Sequence, residues 1–593
     1  MYPLPKFFSN SDLKELGVKK LEKFASSKIW VPSILFVSEF LYLARIHTWE
    51  VDAHHDGIIL AAAVAAGEGL IPHRDFFAQY GPLTPLLQGF FLRITEYSLF
   101  NVKILTSFAL ALIGLQIFLG VRRRWSSSVA LLASICWVLT GPFGLPWPSV
   151  FSTLIITSSL LIFDSSAFNR LLNSQANFSN FAKVKMFMAG LILGSAIFFR
   201  VHLVVTLGAI ILIFLFWKFR RLDIDGIGWT INGILIAILA IVFYLTINGA
   251  LYLFWLDCIE WASNNYIGSK QMSRSLLIEY SWPFLLGATY LIHQNYLRMC
   301  MLRSPLSKAL TSYLILHALA LCFLVEISEL TRSGPQTLSN PKILAITIST
   351  KLSFIFIYVV LTFFLLVLVR LLHSFYKEKS FGLSEKGVDE GIFHHTLLML
   401  IVGVTSLLQL YPTFDDYHIA FITPVLILVA SFIYPMRLSS SIWKKVFIAF
   451  CLLLLPSMLY QNIKLATIPR TAFQAPILVG MYGSWPTKSS IDLTMANLDN
   501  YAKHRGVRYV CPDGLYAASS AGYLASGRDF VSWGPKLTFN EANVTQLFLC
   551  YISEEAILLK ESQGWRVVFK VQWNPMTGPG AENVWNVLFE KKP

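Results

Sequence analysis

Long runs of apolar residues alternate with short polar connections along most of the chain, and this alternation predicts the elements. Runs of about the length needed to cross 30 Å of hydrocarbon fall at approximately 29–47, 100–121, 126–142, 148–164, 184–200, 202–218, 227–248, 277–293, 309–327, 343–371, 392–410, 417–435 and 442–460. About thirteen membrane-spanning helices are therefore expected. From about 462 the pattern changes. Charged and turn residues return, and the apolar runs shorten to strand length in VRYVCPD, AILLK, WRVVFKV and WNVLFEKK, while IDLTMANLDNYAKH reads as a helix. The expected fold class is a polytopic α-helical membrane protein with a C-terminal α/β domain.

Composition agrees with the pattern. Hydrophobic residues make up 55% of 593 positions and charged residues only 14%, with mean hydropathy +0.59; a soluble globular protein is far less apolar. The net charge of +14 would suggest nucleic acid in a soluble domain. Here the basic residues sit in short clusters between spans, so membrane topology accounts for them. With the N-terminus in the cytoplasm, Arg122–Arg124, Lys183/Lys185, Lys218/Arg220/Arg221, Arg298/Arg303/Lys308, Arg370 to Lys379 and Arg437/Lys444/Lys445 all fall on the cytoplasmic side. The polar N-terminal segment 1–28 shows no cleavable signal and contains a basic amphipathic stretch, LKELGVKKLEKF. The domain plan is then 1–28 on the cytoplasmic surface, 29–461 in the membrane and 462–593 outside the cytoplasm. Of seven cysteines, none in CxxC spacing, only Cys511 and Cys550 share the C-terminal part, as a disulfide or as two buried thiols.

This topology puts most of the unusual polar residues on the extracytoplasmic face. The densest group is the first loop, residues 48–99, with Asp52, His54, His55, Asp56, His73, Arg74, Asp75 and Tyr80 around the small-residue run AAAVAA. Gly81-Pro82 and Pro85 are expected to break the chain before an amphipathic segment, Leu86 to Ile94. Asp52 and Asp56 are four apart, which on a helix places both carboxylates on one face. A pair of acids in a low dielectric supplies a base; the plainer reading makes Asp56 a helix N-cap. Arg74 suits phosphate, or forms a surface ion pair with Asp75. Arg200 and His202 lie where two spans meet, so Arg200 either snorkels or holds a lipid phosphate, with Arg332 assisting. YPTFDDYH contributes Asp415, Asp416 and His418 as further substrate contacts. A divalent cation held by His54, His55 and Asp56 would need ligands from that same late loop. Trp147, Trp255 and Trp261 are interfacial anchors or sugar-stacking platforms. No Walker sequence or GxGxxG occurs in the C-terminal part.

The first-loop acids, followed by GLIPHRDFF and YGPLTPLL, resemble bacterial members of the GT-C superfamily of integral-membrane glycosyltransferases, related to protein O-mannosyltransferases and lipid A aminoarabinose transferases. LQLYPTFDDYHIAFITP resembles their late loop and span. The resemblance spans the chain, with the loop motif its specific part. It implies an inverting glycosyltransferase of the bacterial inner membrane that takes a sugar from a polyprenyl-phosphate donor, with a loop carboxylate as general base. The family's Asp-Glu pair is replaced by His55-Asp56. That leaves Asp56, favoured for its place before the small-residue helix, and Asp52 as the candidate bases. The rival functions are a flippase or transporter of lipid-linked glycans and a glycan polymerase or ligase using diphosphate-linked donors.

Overall fold

The structure, a computed structural model, describes residues 30–49, 51–140, 145–164, 180–219, 225–261, 416–433, 466–483, 487–501, 507–511, 545–572 and 584–592, with shorter pieces within 399–406 and 448–463 and at 515–516. The runs expected at 277–293, 309–327 and 343–371, segment 1–28, Arg332 and Asp415 lie outside these residues; those at 392–410 and 442–460 are described only in pieces.

The apolar runs become helices α1 (Trp30–His47), α4 (Leu99–Arg124), α5 (Ser127–Thr140), α6 (Pro148–Phe163), α7 (Asn180–Ser195), α8 (Val204–Phe219), α9 (Asp225–Ile247) and α11 (Asp416–Ile433). Between the first two of these, the opening loop forms α2 (His55–Gly67) and α3 (Leu83–Ile94), and α10 (Leu251–Trp255) follows α9. Among the described residues, two helices are long and apolar enough to cross a membrane by themselves, Leu99–Arg124 and Gly228–Ile247.

Burial divides α1 into two faces. Val31, Leu35, Glu39 and Leu43 are buried, while Trp30, Ile34, Val37 and Leu41 are exposed. On α9 the large exposed apolar residues are Trp229, Leu235, Ile236, Leu239, Phe243 and Ile247. Apolar stripes of this extent are costly in water and favourable against lipid. On the inner side Glu39 is bonded by Ser134 Oγ at 2.6 Å, and a Cβ on Gly114 would stand 2.3 Å from its Oε2.

Helices α7 and α9 approach through glycine. A Cβ on Gly190 would lie 1.9 Å from the Thr230 carbonyl oxygen, and one on Gly233 would lie 2.1 Å from that of Phe187. This is the small-residue packing that membrane helices use in place of a hydrophobic driving force. Gly190→Leu is expected to destabilise the protein by about 1–3 kcal/mol, as overpacking does, measured as a lower unfolding midpoint in detergent.

Beyond residue 466, β1 (Thr471–Ala472) and β2 (Tyr482–Gly483) pair antiparallel. Helix α12 (Thr487–Tyr501) buries Ile491, Thr494, Met495 and Leu498 on one face. A sheet of β3 (Val507–Val510), β4 (Gln546–Ile552), β5 (Trp565–Gln572) and β6 (Trp585–Lys591) runs in the order β3-β4-β6-β5. The β3/β4 pair is parallel, and β6 is antiparallel to both its neighbours. A disulfide joins Cys511, just after β3, to Cys550 in β4.

Two segments differ from the elements their sequence pattern predicts. AILLK belongs to helix α13 (Glu554–Ser562), not to a strand. Ser553 Oγ accepts from Ala556 N, and Glu554 and Glu555 occupy the first turn, where acids stabilise a helix. Pro85 does not break the chain, because α3 begins at Leu83; a first-turn proline removes no intrahelical bond.

The opening loop and the C-terminal part share one core. Val51, Ala53, Ile59 and Leu60 pack in the same cluster as Phe473, Leu478, Met481, Leu515, Tyr516 and Phe548.

Candidate active site in the first loop

The two candidate carboxylates have different surroundings. Helix α2 starts at His55, so Asp52 precedes it and the shared helical face does not form. Asp52 Oδ1 accepts from His54 N at 3.0 Å and His55 N at 2.8 Å, which makes Asp52, not Asp56, the residue that caps the entry to the helix. Asp52 Oδ2 lies 2.7 Å from His55 Nδ1, and both side chains are nearly half exposed. Burial pushes the Asp52 carboxyl up, but the hydrogen bonds and charge of His55 outweigh it and hold the group below the ordinary aspartate value.

Asp56 is fully buried. Its Oδ2 meets Lys103 Nζ of α4 at 2.7 Å and accepts from Asp52 N at 3.0 Å. Oδ1 has no hydrogen-bond partner among the described residues. Burial raises the Asp56 carboxyl by more than Lys103 lowers it. One helical turn along α4, Ser107 Oγ donates to Lys103 O at 2.8 Å and lies 2.7 Å from His47 Nδ1 at the end of α1. Asp56 thus fastens the loop to α4, and Ser107 ties the same stretch of α4 to the end of α1.

A row of rings leads away from Asp52. His54 and His55 have centroids 4.7 Å apart, His55 and Trp147 5.5 Å, and Trp147 and Tyr80 5.7 Å. Arg200 Cζ then stands 5.1 Å from the Tyr80 ring. Arg200 is 2% exposed, so it does not snorkel; it sits between two 3-10 turns, Ala196–Phe198 and Val201–Leu203. The YGPL turn is pressed against this corner. A Cβ on Gly81 would lie 2.0 Å from the Phe198 carbonyl oxygen, so only glycine lets Tyr80 reach Arg200. Gln88 Nε2 donates to Pro146 O at 2.9 Å, which fixes α3 beside Trp147.

Arg74 is bound to its neighbour, with Nε and Nη2 each 2.8 Å from the Asp75 carboxylate. Asp75 Oδ2 also accepts from Ile71 N at 2.7 Å. The pair braces the second bend. Asp416 and His418 fall in the first turn of α11, whose Phe421 carbonyl accepts from Thr153 Oγ1 of α6 at 2.8 Å. His202 lies in the turn Val201–Leu203. Among the described residues no group of three or more His, Cys, Asp or Glu is arranged to hold a metal ion. The Nδ1 of His55 is directed at Asp52; of the late-loop ligands such a cation site would need, Asp415 and the side chains of Asp416 and His418 lie outside the described residues.

No family model matches this sequence, and no curated protein does. Comparison with solved structures finds chains of similar fold at low identity. One is ArnT from Cupriavidus metallidurans bound to undecaprenyl phosphate, at 12% identity and TM-score 0.42, covering 94% of this chain and 97% of that one. Another is the Archaeoglobus fulgidus oligosaccharyltransferase tethered with an acceptor peptide, at 14% identity and TM-score 0.42, covering 87% and 69%.

Two site residues were not anticipated from the sequence. Lys103 interrupts an apolar run, and a lone charge inside a span is a signal in itself. Asp257 lies in a π-helical turn, Leu256–Glu260, where its Oδ2 is 3.0 Å from His73 Nδ1 with both side chains fully buried. His73 adopts φ 68°, a strained conformation for a non-glycine residue, and its ring packs 5.1 Å from Phe254. Trp261 is buried against Phe77 at 5.2 Å, whereas Trp255 is exposed.

Proposed function

We propose that the protein is an inverting membrane glycosyltransferase that moves a sugar from a polyprenyl-phosphate donor to a hydroxyl of an extracytoplasmic lipid, glycan or protein acceptor. The observation that carries this reading is the row Asp52, His55, Trp147, Tyr80, Arg200. It sets an exposed, ionised carboxylate at one end and a buried guanidinium at the other, with aromatic faces suited to a sugar between them.

In this mechanism the acceptor hydroxyl gives its proton to Asp52, and its oxygen attacks the anomeric carbon from the side opposite the phosphate. The bond between C1 and the phosphate oxygen breaks, and the polyprenyl phosphate leaves with the electron pair, stabilised by Arg200. Asp52 is the better base of the two candidates because Asp56 is committed to Lys103 in the interior. Arg74, already paired with Asp75, shapes the bend; Arg332 is a second candidate phosphate contact. His54, His202, Asp415, Asp416 and His418 are candidate substrate contacts.

The topology proposed with this reaction has about thirteen spans and places the C-terminal domain outside the cytoplasm. The Cys511–Cys550 disulfide supports that side, since such bonds persist in oxidising compartments, and the basic clusters support the same orientation. Glu39, buried in α1, is the kind of intramembrane acid a transporter would use. Its bond to Ser134 and close packing on Gly114 give it a structural role between helices.

Arg200→Gln is expected to raise the donor KM about tenfold or more, the worth of a charge-assisted hydrogen bond, with Arg200→Lys intermediate. The check is initial-rate kinetics with a labelled polyprenyl-phosphate sugar. An unchanged KM in both variants would remove Arg200 from the donor site.

A further inference from the structure

Among the described residues the Asp52 carboxylate bonds within its own turn, and other contacts fix that turn in space. Upstream, Thr48 O accepts from Tyr482 N at 2.9 Å, and Trp49 and Tyr482 form a parallel β-bridge. Downstream, Ala53 O accepts from Leu515 N at 3.3 Å. Val51 and Ala53 are buried with Leu478, Met481, Leu515 and Tyr516, while Asp52 between them is exposed. With its neighbours drawn into the C-terminal core, Asp52 is turned the other way.

Three further contacts tighten the arrangement. Arg45 Cζ lies 5.5 Å from the Trp49 ring and 5.6 Å from that of Tyr482, and Arg470 Cζ lies 4.9 Å from Trp49. Gly480 has φ +85°, and a Cβ there would meet Phe100 Cδ2 at 2.9 Å. Phe100 stands one turn before Lys103 on α4, so the hairpin also abuts the helix that fastens Asp56. The Cys511–Cys550 disulfide holds the chain four residues ahead of Leu515 to β4.

We infer that the C-terminal hairpin Thr471–Gly483, with Leu515, is a positioning element of the transferase site: it grips Thr48 and Ala53 on either side of Asp52 and so sets where the carboxylate stands. This rests on the reading of Asp52 as base. The C-terminal domain is then one wall of the active site rather than an appended module.

Tyr482→Pro tests it in the full-length protein in lipid nanodiscs, because it removes the N–H that donates to Thr48 O. The hairpin bond from Phe473 N to Met481 O at 3.1 Å does not use the Tyr482 N–H. Gly480→Ala, strained at positive φ and pushed against Phe100, is the second variant, and Leu558→Ala, exposed on α13, is the control. Hydrogen exchange over residues 51–58 is expected to quicken about fivefold, as for loss of one backbone bond, in both variants and not in the control. Alongside it, kcat should fall with donor KM unchanged, and the acid limb of the kcat profile should move. Unchanged exchange in both variants overturns the clamp, whatever the activity. Faster exchange with unaltered kcat and pH profile overturns its positioning role. An inactive wild type counts against the transferase reading, and exchange still decides the clamp.

Discussion

Asp52→Asn is expected to lower kcat for sugar transfer by about 10²–10⁴-fold, the usual contribution of a positioned general base, with little change in unfolding midpoint. Asparagine keeps an oxygen to accept from His54 N and His55 N and caps a helix as well as aspartate. What it loses is the proton acceptor and the charge beside His55. The pH dependence follows from the sign of the shift. A base must be ionised to act, and His55 holds Asp52 below the ordinary aspartate value of 3.8. The carboxylate limb of the wild-type rate therefore lies below that value, and the rate falls only as pH drops through it. An acid limb well above that value would assign the base to another group.

Lys103→Met is expected to have the largest effect on the fold, about 3–5 kcal/mol of destabilisation, because it leaves the fully buried Asp56 carboxylate without its cation. The double change Asp56→Leu with Lys103→Met should recover much of that loss, since an apolar pair of similar volume leaves no buried charge. Unfolding midpoints of the purified variants in detergent, combined as a double-mutant cycle, measure both. A single Lys103→Met variant as stable as wild type would show that the pair does not fasten the loop.

These two carboxylates, four residues apart, show what a sequence can and cannot convey. Hydropathy locates helices such as Leu99–Arg124 and Asp225–Ile247 because apolar length is a property of one segment. It also draws attention to the loop, where charges crowd beside a span. Which acid is buried depends on Lys103, and which end of the loop turns outward depends on the Tyr482 and Leu515 amides, more than 400 residues away. Position before the small-residue helix favours Asp56; packing hides it and leaves Asp52 accessible. Arg200 stood out as a charge between spans, but its approach to Tyr80 requires the missing side chain of Gly81. The His73–Asp257 pair joins residues 184 positions apart, with no local pattern to announce it. AILLK shows a different limit: its composition suits strand or helix, and the Ser553 cap decides for helix.

The most direct test of the central claim is release of polyprenyl phosphate from labelled polyprenyl-phosphate sugars by purified protein in nanodiscs, with extracted envelope material as acceptor. Wild type is expected to release the lipid phosphate and label the acceptor with inverted anomeric configuration, and Asp52→Asn to do neither. Label crossing the bilayer with the donor intact, or equal transfer by wild type and Asp52→Asn, would contradict it.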